Sequence, residues 1–215
     1  MVEQARAAVG PDFKLLVDAN QGFYWGIFPG GAPKWDLRTA LEFARALDGL
    51  DIHWLEEPLD RHDYAGHAEL RRHSKVRLAG GELSWRLAEY REMVARGCLD
   101  VLQTDAIFFG GIAGSRKVAA LAEAHNLGFA PHCWSNGFSL IANLHVMSAS
   151  LNCELCEFPY EPPAWVPASR DALFAEPITI DADGCVPLPQ GPGLGLRIDQ
   201  EKLARYGEKI FDGRA

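Results

Sequence analysis

The sequence predicts an α/β fold of repeated strand–helix units, of the (β/α)8-barrel type. Two observations carry this. Short apolar runs alternate with longer amphipathic stretches along most of the 215-residue chain, the pattern of βαβ units around a parallel sheet. An ionisable residue also stands just past each apolar run, at intervals close to one barrel unit.

Met1 to Gly10 reads as the end of a helix, and Phe13 to Val17 as a buried strand. Gly22 to Trp35, with Gly and Pro among aromatics, reads as a long loop of the kind that carries function. Leu37 to Leu50 repeats apolar residues at helical spacing; Ile52 to Leu55 is the next strand and Tyr64 to His73 the next helix. Val76 to Ala79 leads to a helix over Leu83 to Arg96, closed by Gly97. Leu99 to Gln103 leads to a helix over Ile112 to Asn126, and Gly128 to Pro131 to an apolar helix over Phe138 to Ser150. Cys153 to Phe158 is the last strand. Beyond it come prolines and glycines, β-like pieces at Ile178–Ile180 and Leu196–Ile198, and a short helix over Gln200 to Tyr206. The chain thus divides into a barrel portion, residues 1–157, and a closing segment, residues 158–215, packed back on it.

Composition narrows the function classes. With 21 Lys and Arg against 29 Asp and Glu, the net charge of −8 argues against nucleic-acid binding, which needs clustered cations. A hydrophobic content of 48% suffices for a large core. Five scattered cysteines suit a reducing compartment better than a disulfide framework. No apolar run reaches the roughly 18 residues that cross a bilayer, and the first residues lack a signal-peptide pattern. The expectation is a cytoplasmic protein that handles small molecules, with no nucleic-acid or membrane partner.

The strand ends are the informative feature. In order they carry Asp18, Glu56, Glu82, Asp105, His132 and Glu157, between 23 and 38 residues apart. One barrel unit takes about 31 residues, and the carboxyl ends of barrel strands face one another across the active-site mouth. A lone Asp there is ordinarily a helix cap, but capping alone does not explain six such groups in phase. Three carboxylates forced together repel unless a cation neutralises them. Asp18, Glu56 and Glu82 therefore read as a divalent-metal triad whose hard oxygens suit Mg2+, with Mn2+ as a substitute.

The ordered set Val-Asp-Ala-Asn, Trp-Leu-Glu-Glu-Pro, Gly-Gly-Glu, Gln-Thr-Asp followed by Gly110-Gly111-Ile112, Ala-Pro-His and Cys-Glu-Phe resembles the enolase superfamily, mandelate racemase subgroup. The likeness runs from about Ala5 to Tyr206. It implies Mg2+ on Asp18, Glu56 and Glu82, a His132–Asp105 base–carboxylate dyad, and Glu157 bonding the developing enolate oxygen. It also implies an oligomer, a capping domain before the barrel and a Lys-x-Lys pair on the second barrel strand. This chain has neither of the last two, so it corresponds to about strands 3 to 8, an incomplete barrel. A fragment or mis-started frame of a protein near twice this length is the simplest explanation; completion by another chain is the alternative.

Other features read as ordinary structure. Glu57 points away from the metal and makes a structural hydrogen bond. Cys153 and Cys156 lack a second ligand pair for zinc and are simply buried. His62, His67 and His73 are solvated on a polar helix, His125 and His145 have no role, and Gly110-Gly111 makes a tight turn. Trp134, Asn136 and Tyr160 follow the catalytic strands and, with Asn20 and Gln21, offer contacts to substrate. The expected activity is Mg2+-dependent abstraction of the α-proton of a small hydroxy-carboxylate through an enediolate, as in a sugar-acid dehydratase. Racemisation, epimerisation and lactone cycloisomerisation share that intermediate. A catalytically silent binding or assembly module is the alternative from another class.

Overall fold

The computed structural model describes residues 1–23 and 33–208; most of the loop predicted over Gly22 to Trp35 lies outside the described residues. Helix α1 (Val2–Val9) precedes β1 (Leu15–Asp18), and then strands and helices alternate: α2 (Leu37–Ala46), β2 (Ile52–Glu56), α3 (Tyr64–His73), β3 (Leu78–Gly80), α4 (Leu87–Arg96), β4 (Val101–Leu102), α5 (Gly111–Ala124), β5 (Gly128–Phe129) and α6 (Gly137–Met147). The short helices α7 (Pro167–Arg170) and α8 (Gln200–Tyr206) lie in the tail.

Among the described residues, five parallel strands hydrogen-bond in chain order β1-β2-β3-β4-β5, and their sheet is not closed. Local chemistry sets the boundaries. Asp36, Asp63, Asn136 and Asp199 cap α2, α3, α6 and α8 by accepting from first-turn backbone N–H groups. Gly97 ends α4 in the left-handed conformation at φ 67°. Gly110 and Gly111 both have positive φ at the start of α5, the tight turn their pairing predicts.

Two layers of packing position the strand ends. On the outer face Leu55, Leu78 and Leu102 pack with Leu70, Tyr90 and Val118 of the helices. On the inner face Leu16, Trp54, Ala79, Val101, Ala130 and Leu155 form a separate cluster, one residue per strand position. Leu155 marks a sixth position that falls short of a strand, contrary to the expectation for Cys153 to Phe158. Phe129 N donates to Asn152 O at 3.0 Å, but the next donor on that side would be residue 131, a proline without an N–H. Across the open side, Lys14 Nζ meets a Glu154 oxygen at 3.2 Å.

The tail packs on the outer side of α6, where Cys133, Leu140, Ile141 and Leu144 meet Phe174 and Ile178. Its hub is a fully buried ion pair. Arg170 reaches both Asp171 oxygens, at 2.8 and 2.7 Å, and donates to Pro159 O and Ile178 O, while Phe158 lies 4.2 Å from its guanidinium. Ile178–Ile180 forms no strand, and Leu196–Ile198 contributes one antiparallel bridge, Ile198 to Phe174. The hub holds Pro159 O, Ile178 O and Ile178 N, while Ala175 N and Asp199 N donate to Arg197 O and Leu173 O on either side of that bridge.

His67 corrects the solvated reading. It is 6% exposed, on the buried side of α3 with Gly66, Ala68 and Leu70, and its Nδ1 lies 2.9 Å from Asp63 O. Burial holds its pKa below the usual 6.5. The unfolded chain binds a proton there below about pH 6.5 and the folded chain resists it, so stability is lost as pH falls through that value. Between pH 7.5 and 5.5 the melting temperature of His67→Gln is expected to fall less than that of the wild type; equal falls would sink this account.

Candidate active site

All six strand-end groups lie on the carboxyl edge of the sheet. Asp18 and Glu56 are the last residues of β1 and β2 and are paired in register; Glu82, Asp105 and His132 follow β3, β4 and β5 within three residues. Glu157 follows the sixth position, and its carboxylate accepts from Cys133 N.

The central group is His132. Its Nδ1 lies 3.0 Å from Asp105 Oδ2 and its Nε2 3.3 Å from Glu82 Oε2. Burial opposes a charged imidazole, but the Asp105 hydrogen bond and the charges of Glu82 and Glu157 outweigh it and lift the pKa to about 9. Asp105 is fully buried and also accepts from Ile107 N, Ser139 Oγ and Asn143 Nδ2 at 3.0, 3.2 and 3.0 Å. Burial alone would raise its pKa; the His132 hydrogen bond first, then Ile107 N and Asn143, hold it below the usual carboxylate value.

The carboxylates opposite behave as crowded acids. Burial, then the charge of Asp18, pushes Glu56 up to about 8. Burial, reinforced by Glu57, Glu56 and Asp18 against the opposing pull of His132, takes Glu82 to about 9. Burial also raises Asp18 and Glu157. Among the described residues, none of these four forms an ion pair with Lys or Arg.

The donor set fits a hard divalent cation: Asp18, Glu56 and Glu82 offer carboxylate oxygens, and the buried acceptor Gln103 Oε1 has no hydrogen-bond partner. As placed, with Glu82 turned to His132, no three Asp, Glu, His or Cys side chains among the described residues are gathered tightly enough to enclose an ion.

The remaining predicted residues are placed differently. Asn20, at φ 51°, donates from its backbone N and Nδ2 to the two Asp18 oxygens, at 2.8 and 2.6 Å. The oxygen of Asn136 caps α6, accepting from Phe138 N and Ser139 N, so that carboxamide is engaged in structure. Gln21 is buried and bonds Ala19 O and Trp35 N. Trp134 and Tyr160 are 39% and 60% exposed. Glu57 takes the structural hydrogen bond expected of it, from the Gly22 backbone, but it also belongs to the charge cluster: it is buried at φ 42°, and burial, then Asp18, pushes it to about 7. Ser139 and Asn143 were not legible as site residues; their only signal is that, with His145, they are polar side chains in a mostly apolar helix.

The family model for enolase C-terminal domain-like proteins matches residues 1–202. The chain belongs to this family. Within it, the chain is 33% identical to the 3,6-anhydro-alpha-L-galactonate cycloisomerase of Streptomyces coelicolor over 95% of this chain and 50% of that protein. It is 33% identical to the arabinonate dehydratase of Saccharolobus solfataricus, over 94% and 49%. Among solved structures, a racemase from Streptomyces coelicolor A3(2) with bound magnesium superposes with a TM-score of 0.78 at 33% identity, covering 95% of this chain and 49% of that one. This enolase-type chain thus spans about half the length of the curated relatives it matches, as an incomplete barrel. Those relatives include sugar-acid dehydratases and cycloisomerases. No helix among the described residues is long and apolar enough to cross a membrane.

Proposed function

We propose that this enolase-type chain carries the proton-transfer half of a Mg2+-dependent site that removes the α-proton of a small sugar acid, with loss of the β-hydroxyl as the favoured net reaction. The observation that carries the reading is His132 held between buried Asp105 and the carboxylate cluster. A proton α to a carboxylate is weakly acidic because its removal adds a second negative charge; a bound divalent cation supplies the compensating charge. Asp105 fixes the imidazole with Nδ1 bonded inward, so Nε2 is the atom that takes the proton or returns it to a leaving hydroxide. Glu157, kept protonated more readily by burial, donates to the developing enolate oxygen. Asp18, Glu56 and Glu82 are the residues that would hold the cation. Mn2+ has the same donor preference.

The cycloisomerases among the relatives support a second net outcome, since lactone chemistry proceeds from the same enediolate. The open sheet favours, as the reading from another class, a silent module that binds or assembles. A small hydroxy-carboxylate is the proposed partner and the cytoplasm the proposed compartment, the latter supported by five free cysteines.

The test is hydrogen exchange. Incubated in D2O with Mg2+ and a panel of aldonic and aldaric acids, the protein is expected to wash out the α-hydrogen of at least one acid, read by proton NMR. His132→Asn should lower that rate at least about a hundredfold. A folded wild type that exchanges none of the acids would refute the reading for this polypeptide.

A further inference from the structure

Helix α6 is apolar except at a few positions, yet two of its polar side chains, Ser139 and Asn143, are fully buried and both reach the dyad. Asn143 Nδ2 donates to Asp105 Oδ1 at 3.0 Å and to the His132 carbonyl at 2.9 Å, while its Oδ1 accepts from Ala106 N at 3.0 Å. One carboxamide therefore ties the loop after β4 to the loop after β5. Ser139, one helical turn earlier on the same face, donates from Oγ to Asp105 Oδ1 and accepts from Cys133 Sγ. The tail presses on the start of this helix: a Cβ at Gly137 would lie 2.5 Å from Asp171 Oδ1 and 2.4 Å from Phe174.

We infer that Asn143, assisted by Ser139, is a positioning residue for the His132–Asp105 dyad. The backbone already brings the two loops together, since His132 N donates to Thr104 O at 2.8 Å. The carboxylate itself receives one backbone donor, Ile107 N to Asp105 Oδ1 at 3.0 Å, and α6 adds two side-chain donors to that same oxygen. Asn143 and Ser139 fix one Asp105 oxygen, so the other is presented to Nδ1 and the imidazole is held with Nε2 outward. A buried amide is tolerated in an apolar helix only when its groups are satisfied, and among the described residues the Asn143 carboxamide bonds to Asp105, its neighbour Ala106, His132 and Ser139. The inference rests on the reading of His132 as the proton-transfer group.

The experiment is 15N-edited NMR of the 215-residue protein, following the downfield ring N–H of His132, assigned by its loss in His132→Asn. Asn143→Asp keeps the shape and the acceptor for Ala106 N but replaces the donor with a charge facing Asp105. It is expected to broaden that signal beyond detection or speed its solvent exchange at least about tenfold, with a cooperative melt retained. Ser139→Ala should act in the same direction, more weakly, and serves alone if Asn143→Asp does not fold. If both variants, or Ser139→Ala alone in that case, leave the resonance and its exchange unchanged, the residues only pack and the inference is overturned. Should the variants lose the signal while the wild type exchanges no acid, the positioning role stands and the reaction proposed above falls.

Discussion

Mg2+ at one hundred times its dissociation constant is expected to raise the melting temperature by about 5–10 °C. Binding to the folded state alone adds about 2.7 kcal/mol at that excess, and about 1 kcal/mol moves a domain of this size by roughly 2–4 °C. The decisive variant is Glu56→Gln. Burial and Asp18 push the Glu56 pKa to about 8, so near pH 7.5 the fold holds a proton that the unfolded chain has released. This carboxyl therefore costs stability progressively as pH rises from its ordinary value towards about 8. Glutamine removes that cost and keeps an oxygen for Trp54 Nε1, which lies 3.3 Å from Glu56 Oε2. In EDTA at pH 7.5 the variant should melt above the wild type; in Mg2+ it should melt below. Curves that do not cross would mean that Glu56 holds no cation, and a wild type indifferent to Mg2+ would remove the triad altogether.

Arg170→Ala is the second large effect. It leaves Asp171 charged, buried and without its guanidinium, which ordinarily costs about 3–5 kcal/mol, or a fall of roughly 6–20 °C. The loss should appear first in the tail, because the same guanidinium holds Pro159 and Ile178. Limited proteolysis is expected to cut beyond residue 158 before the barrel portion, and the double variant with Asp171→Ala should recover part of the loss. A melt within about 3 °C of the wild type would show that the hub is dispensable.

What the sequence made legible follows the reach of its signals. Helix α3 falls on its predicted bounds, Tyr64–His73, and α8 on Gln200–Tyr206, because a capping Asp precedes each. Four strands came out shorter than their apolar runs and β2 one residue longer: β4 is a strand over only two residues of Leu99 to Gln103, although Asp100 N and Gln103 N still donate to Leu78 O and Gly80 O. The strand-end acids were legible because they recur with the structural unit. The φ of 42° at Glu57 is encoded by no spacing, and the burial of His67 depends on which side of α3 faces the sheet. Ser139 and Asn143 were hidden because apolar periodicity treats two polar residues as interruptions, although their partners lie 34 and 38 residues away along the chain.

The chain-order sheet also bears on how the protein reaches this state. Each strand's neighbour is the next strand along the chain, so every new pairing closes a loop of one strand–helix unit, at an entropic cost that grows only slowly with loop length. Structure can accrete unit by unit, and no early strand waits for a distant partner. Asp18 and Glu56 are apposed at the first closure, four units before the peptide carrying Glu157 arrives. The tail is the exception: it doubles back on itself, Lys202 reaching Phe174 O and Arg170 reaching Pro159 O. Chain-order pairing thus allows each unit from β1 to α6 to be added with a local closure only.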